Sequence, residues 1–312
     1  MDLSAVLELI QTTLELGLIS SLTVLALFLS YSMLNVCDLS TDGCFTLGAA
    51  VGAMVALSGH PVLSIFAAIA AGMLSGLITA LLQTKMGIDS LLSGIIVNTG
   101  LYSVNIAIMK NSSLVNLNKT DTIFTMVKKA LSGTFLASSY KLIVVTAAVA
   151  LVVVFLVLFL RTRLGLAIRA TGDNPAMVRS SSINPVFTTI IGLVVANAFT
   201  GLSGCLMAQS QKSANIDIGS GMLTIALASL LLGRVFMGKG GIPKRAVGAV
   251  IGAAIFRIVY MIALRLNMPA SMLKLVSSVI VIITISAPYF RSKLPMLRRR
   301  MMLKRGEEEK DA

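Results

Sequence analysis

The sequence predicts an all-α protein, a polytopic transmembrane helical bundle of about eight or nine spans with broken helices. Three observations carry this. Of 312 residues, 56% are hydrophobic and only 12% charged, with a mean hydropathy of +0.91, far from the charge content of a soluble domain. Apolar runs of about 20 residues, the length that crosses a bilayer as a helix, recur along the chain. Basic residues gather in the segments between those runs, as topology-setting loops require.

The elements follow in order. The opening, MDLSAVLELIQTTLELGL, lacks a basic n-region and does not read as a cleavable signal. Leu3, Val6, Leu7, Ile10 and Leu14 recur at helical spacing, which predicts an interfacial helix. Spans are predicted at 17–36, 43–59, 62–83, 88–109, 142–160, 186–208, 219–236, 246–264 and 271–289. The linkers are SGHP, QTKMG, a long loop from Lys110 to Lys141, an arginine-rich segment at 161–185, SQKSANID, GKGGIPKR and RLNMP. Residues 1–290 form one transmembrane domain, followed by a basic tail with an acidic tip at 291–312. Small-residue clusters at 48–53, 72–76, 201–204 and 248–254 allow helices to approach closely.

If the spans alternate, four Arg of 161–185, four basic residues of 234–245, eight of the tail and Lys85 share one side. That is 17 of the 26 basic residues, so this side is the cytoplasm and the C-terminus lies there. The first 16 residues hold Asp2, Glu8 and Glu15 and no Lys or Arg, which suits the other side. The five lysines between Lys110 and Lys141 run against the rule. A net charge of +13 is thereby explained without nucleic acid.

Two apolar runs are interrupted by polar segments that pair Asp with Ser and Gly. One is NVCDLSTDGCF, with Asp38, Ser40 and Asp42; the other is SANIDIGSG, with Asp217. Irregular backbone at membrane depth is tolerated inside protein or beside a cavity. Interruptions in corresponding positions of two halves suggest an inverted repeat around a substrate path. Asn98, Tyr102 and Asn105 fall at i, i+4, i+7, one face of the fourth span. Asn197 lies within the sixth span and Arg257 in the eighth. Polar groups at this depth face other helices or a path. For Asn197 and the serines, helix–helix hydrogen bonding competes with a place in the path. An Asp–Arg pair involving Arg257 would be structural.

The segment RTRLGLAIRATGDNPAMVRSSSINP (161–185) is longer than topology alone needs. Asn174 can cap a helix and Pro175 suits its first position. A helix of about two turns would end near Asn184, before Pro185. Long ordered loops are usually functional, and a capped helix among Arg161, Arg163, Arg169 and Arg179 reads as a docking element for a cytoplasmic partner.

The same segment resembles the cytoplasmic loop of ABC importer permeases of the branched-chain amino acid and ribose type. NVCDLSTDGCFTLGAAVGA is similar to the family's early broken helix, and ANAFTGLSGCLMAQ to its small-residue-rich sixth span. The likeness runs from about Leu14 to Phe290 and is strongest to the tryptophan/tyrosine transport permease branch. Ser182 stands where the family commonly has Gly. The resemblance implies a coupling helix that seats in an ATPase subunit, with Arg169, Asp173, Asn174, Pro175 and Arg179 at the contact. It places the segment with Asp38, Ser40 and Asp42 beside the translocation path, and the polar positions Asn98, Tyr102, Asn105, Asn197 and Asp217 read as further residues along it. It implies two ATPase subunits, an extracytoplasmic solute-binding lipoprotein, a homodimer or a heterodimer with a paralogous permease, and a bacterial inner membrane. The cargo would be a small hydrophilic solute, an amino acid by resemblance, aromatic ones included. The chain itself would carry no cofactor, ATP being hydrolysed by a separate subunit.

Other classes fit less well. GRVFMGKG (233–240) nearly spells a P-loop, but Gly240 stands where Ser or Thr would ligate magnesium, and the motif follows a membrane helix. Cys37, Cys44 and Cys205 are odd in number and sit in or beside apolar runs, so they read as small core residues. The single histidine, His60, precedes Pro61 in a turn; with no paired carboxylate it supplies no enzyme site. An ion-coupled secondary transporter would bind its ion at Asp38, Asp42 and Asp217, but would leave the 161–185 segment without a partner.

Overall fold

The computed structural model describes residues 3–130, 139–238 and 240–265, with a few isolated positions between 275 and 286. Eleven α-helices and two short strands make up the described part. Helix α1 (Leu3–Leu27) runs into a π-helical stretch, Phe28–Met33, and the chain is non-helical until α2 (Thr41–Leu57). Then come α3 (Pro61–Thr84), α4 (Ser90–Ile108), β1 (Leu114–Asn116), α5 (Ile123–Ala130), α6 (Tyr140–Arg161), α7 (Arg163–Asp173), α8 (Pro175–Ser180), α9 (Pro185–Gln211), β2 (Ser213–Asn215), α10 (Met222–Met237) and α11 (Ile242–Arg265).

Among the described residues six helices are long and apolar enough to cross a membrane, and α2 and α10 are shorter apolar helices. Those two are the helices that follow the interrupted segments. The predicted ninth span at 271–289 lies outside the described residues save for the isolated positions, and so does the tail from 291.

Three expectations need correction. The opening is not a separate interfacial helix: α1 starts at Leu3 and continues into the first span, with no proline to break it and with Gly17 carried inside the helix, packed close to Ala254 and Arg257 of α11. The 110–141 loop is not featureless. Its Leu114–Asn116 strand pairs antiparallel with Ser213–Asn215, Val115 opposite Ala214, and α5 follows. The 161–185 segment holds two helices where one was predicted, α7 being capped by Thr162, whose Oγ1 accepts from the Gly165 amide.

Helix starts are written locally. Asp89 accepts from the Leu91 amide at 2.9 Å to begin α4. Asn174-Pro175 and Asn184-Pro185 use one device twice. Asn174 Oδ1 accepts from the Ala176 and Met177 amides, and Asn184 Oδ1 from that of Val186, while proline fills the first helical position, where no amide partner is needed.

Helix α9 is the central post. Its 27 residues reach about 40 Å at 1.5 Å each, and it packs on α1, α2 and α3. Lipid tails are as apolar as leucine side chains, so close packing and interhelical hydrogen bonds hold such a bundle. Both are present. A Cβ on Gly204 would overlap the Phe45 carbonyl oxygen of α2, and one on Gly72 the Asn197 carbonyl oxygen of α9. Ser203 Oγ donates to the Ile19 carbonyl at 2.7 Å, and Gln209 Nε2 to Ser64 Oγ at 2.6 Å, while Gln209 Oε1 accepts from the Ile123 amide at the start of α5. Each bond of this kind contributes about 0.6–2 kcal/mol in a membrane. Helices α10 and α11 pack on one another and α11 on α1.

Candidate functional site

The break between α1 and α2 organises the site. Asp38 is buried and closes an Asx turn: its Oδ1 accepts from the Ser40 amide (2.9 Å) and Ser40 Oγ (2.6 Å). Its Oδ2 accepts from Asn197 Nδ2 of α9 at 2.7 Å, and Thr79 of α3 donates to Ser40 Oγ at 3.3 Å. Asp38, Ser40 and Asn197 thus bind one another inside the protein and fasten the start of α2 to the central post.

One turn on, Asp42 faces the second break. The N-cap position of α10 is Gly221, which has no side chain to supply an acceptor, and helix starts leave amides unmatched. Asp42 supplies the acceptors from α2, with Oδ2 taking the Gly221 amide at 2.9 Å and Oδ1 the Leu223 amide at 2.7 Å. Carboxylate charge at a helix start is also favoured by the helix dipole. Gly219 permits the approach, since a Cβ there would overlap the Asp42 carbonyl oxygen.

A cavity of ≈ 330 Å³ opens where the two breaks meet α4. Asp42, Asn98, Tyr102, Asn105 and Asp217 all line it, with Gly43, Thr46, Thr99, Ile216 and Ser220. Five of the eight predicted path residues therefore share one space, and the other three lie in the buried cluster beside it. Sequence reasoning missed Thr46 and Thr99, threonines on helices without a polar run to mark them. Arg257 pairs with neither Asp38 nor Asp42. Its guanidinium donates to Ser20 Oγ of α1 at 2.9 Å and lies over the Tyr260 ring.

The opposite end of α9 carries α7 and α8. Val178 is buried beneath α8, while Pro175, Ala176, Met177 and Arg179 are exposed, Met177 to 64%. Asp173 and Asn174 join α7 to α8, and Arg169 is half-buried on α7. This unit is rooted in the first break: a Cβ on Gly172 would overlap the Met33 carbonyl oxygen and press on Leu34. Thr171 Oγ1 and Thr188 Oγ1 of α9 are 2.8 Å apart. A cavity of ≈ 520 Å³ opens here, lined by Asn35, Gln83, Asp173, Pro175, Arg179 and Thr189 among others. Ser182 sits at φ +59°, the left-handed region in which glycine is at ease.

Residues 233–237 of the P-loop-like motif are the last turn of α10, and Gly233 packs on the Gly248 backbone. They form no phosphate-binding loop; Lys239 lies outside the described residues. Cys37, Cys44 and Cys205 are free thiols. Among the described residues no group of three or more His, Cys, Asp and Glu is placed to hold a metal ion.

Comparison with known proteins agrees with this architecture. Residues 9–285 match the family described as branched-chain amino acid transport system / permease component. The chain is 32% identical to a tyrosine transport system permease protein of Clostridioides difficile, over 85% of this chain and 86% of the relative. It is 28% identical to the guanosine ABC transporter permease protein NupQ of Bacillus subtilis, over 76% and 72%, and 28% identical to the ribose import permease protein RbsC of Escherichia coli, over 70% and 66%. No solved structure matches. This is a family of transport permeases and not of enzymes. A multi-pass helical bundle matched over residues 9–285, the chain belongs to the branched-chain amino acid transport system / permease component family and is a permease component of ABC-type transport systems.

Proposed function

We propose that this chain is the membrane-spanning subunit of an ATP-driven importer in a bacterial inner membrane. It pairs with a second copy or a paralogous permease. Two ATPase subunits bind the α7–α8 end, which faces the cytoplasm together with the C-terminus. A solute-binding protein delivers cargo at the β1–β2 end. The cargo is a small hydrophilic solute, an amino acid, with an aromatic one favoured by the relative named for tyrosine transport.

The observation that carries this reading is a mechanical one. Helix α8 is presented outward, while Gly172 at its root bears on residues 33–34, and the chain from there leads through Asp38 to Asp42 at the cavity wall. Displacing α8 therefore strains the junction of the two broken helices. ATP-driven closure of the ATPases would move α8 and switch the side from which the cavity is open. The paired state has its own support: Thr99, Tyr102 and Ser103 are exposed midway along α4, and polar groups facing lipid are unfavourable there. A second permease covering that face would enclose the path between them.

The test is reconstitution of the permease with its ATPase and binding protein in proteoliposomes. Uptake of labelled L-tyrosine should require ATP inside and the binding protein outside. Uptake driven by a sodium or proton gradient without the ATPase would overturn the reading.

A further inference from the structure

We infer that the cavity between α2, α4 and residues 216–221 binds the ammonium group of the transported solute, with Asp217 and Asn105 Oδ1 as its acceptors. The inference rests on the reading that this cavity belongs to the translocation path.

The lining is built to receive donors. It holds two carboxylates, those of Asp42 and Asp217, and no Lys, Arg or His. Asp42 is committed to the first amides of α10. The start of that helix, ordinarily a seat for anions, is therefore already filled. Asp217 is exposed, and its carboxylate accepts no hydrogen bond among the described residues. Formal charge in the cavity is negative, and a carboxylate guest would meet like charge.

Asn105 adds an independent sign. The residue is 1% exposed, its Nδ2 donates to the Gly43 carbonyl at 3.2 Å, and its Oδ1 has no partner. Turning the amide over would set Oδ1 against the Gly43 oxygen, acceptor against acceptor, so the orientation is fixed. A buried acceptor without a donor is unfavourable, and a guest that brings N–H groups removes the penalty. A primary ammonium offers three donors, no acceptor and a positive charge. The volume, ≈ 330 Å³, is at the scale of small-ligand sites. Asn98, Thr99 and Tyr102 line the same space for the remainder of the solute.

The experiment uses the full transporter in nanodiscs. Cys37 is replaced by Ala, Cys44 and Cys205 remain because they are buried, and Thr99→Cys reports occupancy through a membrane-impermeant maleimide. Three probes compete: L-tyrosine, tyramine with the ammonium alone, and 3-(4-hydroxyphenyl)propionate with the carboxylate alone. L-Tyrosine and tyramine should slow labelling at least threefold, and the propionate should not. Asp217→Asn and Asn105→Leu should each raise the half-protecting tyramine concentration about tenfold. Asp217 is exposed, so that variant keeps the test valid should Asn105→Leu fail to fold. Equal protection by the propionate, protection by sodium in place of choline, protection unchanged in Asp217→Asn, or no protection by either amine would overturn the inference. ATP-driven uptake by the same protein in proteoliposomes separates the two readings. Uptake without amine protection sinks the ammonium site alone, whereas amine protection without uptake supports the site and sinks the importer.

Discussion

Asp42 caps a helix 179 positions away in sequence: its carboxylate oxygens take the amides of Gly221 and Leu223 at 2.9 and 2.7 Å. Asp42→Ala strips both acceptors from the start of α10 and should destabilise the protein by about 1–2 kcal/mol. Asp42→Asn, which keeps one acceptor oxygen but no charge, should lose less. Thermal unfolding of the detergent-solubilised chain measures both. An Asp42→Ala midpoint equal to wild type would show that the cap carries no stability.

The Asp38–Asn197 pair predicts a larger effect. Asn197→Leu would leave Asp38 Oδ2 buried without its donor at 2.7 Å, and losing a buried hydrogen bond to a carboxylate costs about 1.5–3 kcal/mol. Little folded protein should reach the membrane. Adding Asp38→Asn removes the charge and should restore part of the level seen by immunoblot.

On the α7–α8 face, Arg169→Glu with Arg179→Glu should leave membrane insertion intact but abolish co-purification with the ATPase subunit and ATP-dependent uptake. Reversed charge at a docking surface sacrifices charge-assisted contacts of a few kcal/mol. Met177→Glu should act alike, since that residue is mostly exposed at the surface of α8. Wild-type uptake in both variants would remove α8 from the coupling role.

Ser182 holds φ +59°, a conformation that costs an L-residue about 1–2 kcal/mol. Glycine relieves it but gives back part through the entropy of the unfolded chain. Ser182→Gly should therefore stabilise the protein by about 0.5–1 kcal/mol with uptake unchanged. A lower unfolding midpoint would contradict the backbone assignment.

Lys239→Ala should leave ATP turnover of the assembled transporter within a small factor of wild type, because residues 233–237 are helix and not a phosphate cradle. Loss of nucleotide binding with an intact ATPase subunit would reverse that conclusion.

The parts written in local sequence were legible. Asn174-Pro175 announced α8, and apolar runs of spanning length gave the long helices to within a few residues, except that α1 begins at Leu3. Asn98, Tyr102 and Asn105 announced one face by their spacing, and that face meets the cavity. What escaped depends on partners distant in the chain. Nothing near Leu114 tells that it pairs with Asn215, since strand pairing is fixed by the partner and not by either tripeptide. Asp42 and Asp217 looked equivalent in sequence. One is matched by a helix start and the other is not, a distinction that exists only once α2 lies against α10. Arg257, which sequence could pair with an aspartate, is satisfied by a serine on α1.

In the importer proposed above, the ribbon of β1 and β2 would bear on how cargo is handed over. Its second strand passes without interruption into the Ile216–Ser220 wall of the cavity, and the Ile216 amide is held by the Ser113 carbonyl at 3.0 Å. The first strand belongs to the excursion between α4 and α6. A visitor that grips this excursion therefore holds a latch whose tongue is the cavity wall itself. Val115, Ala214 and Ile216 are buried against Ala49, Ala50 and Ala53 of α2 and Ala208 of α9, so a force on the ribbon would reach Asp217 and those two helices together.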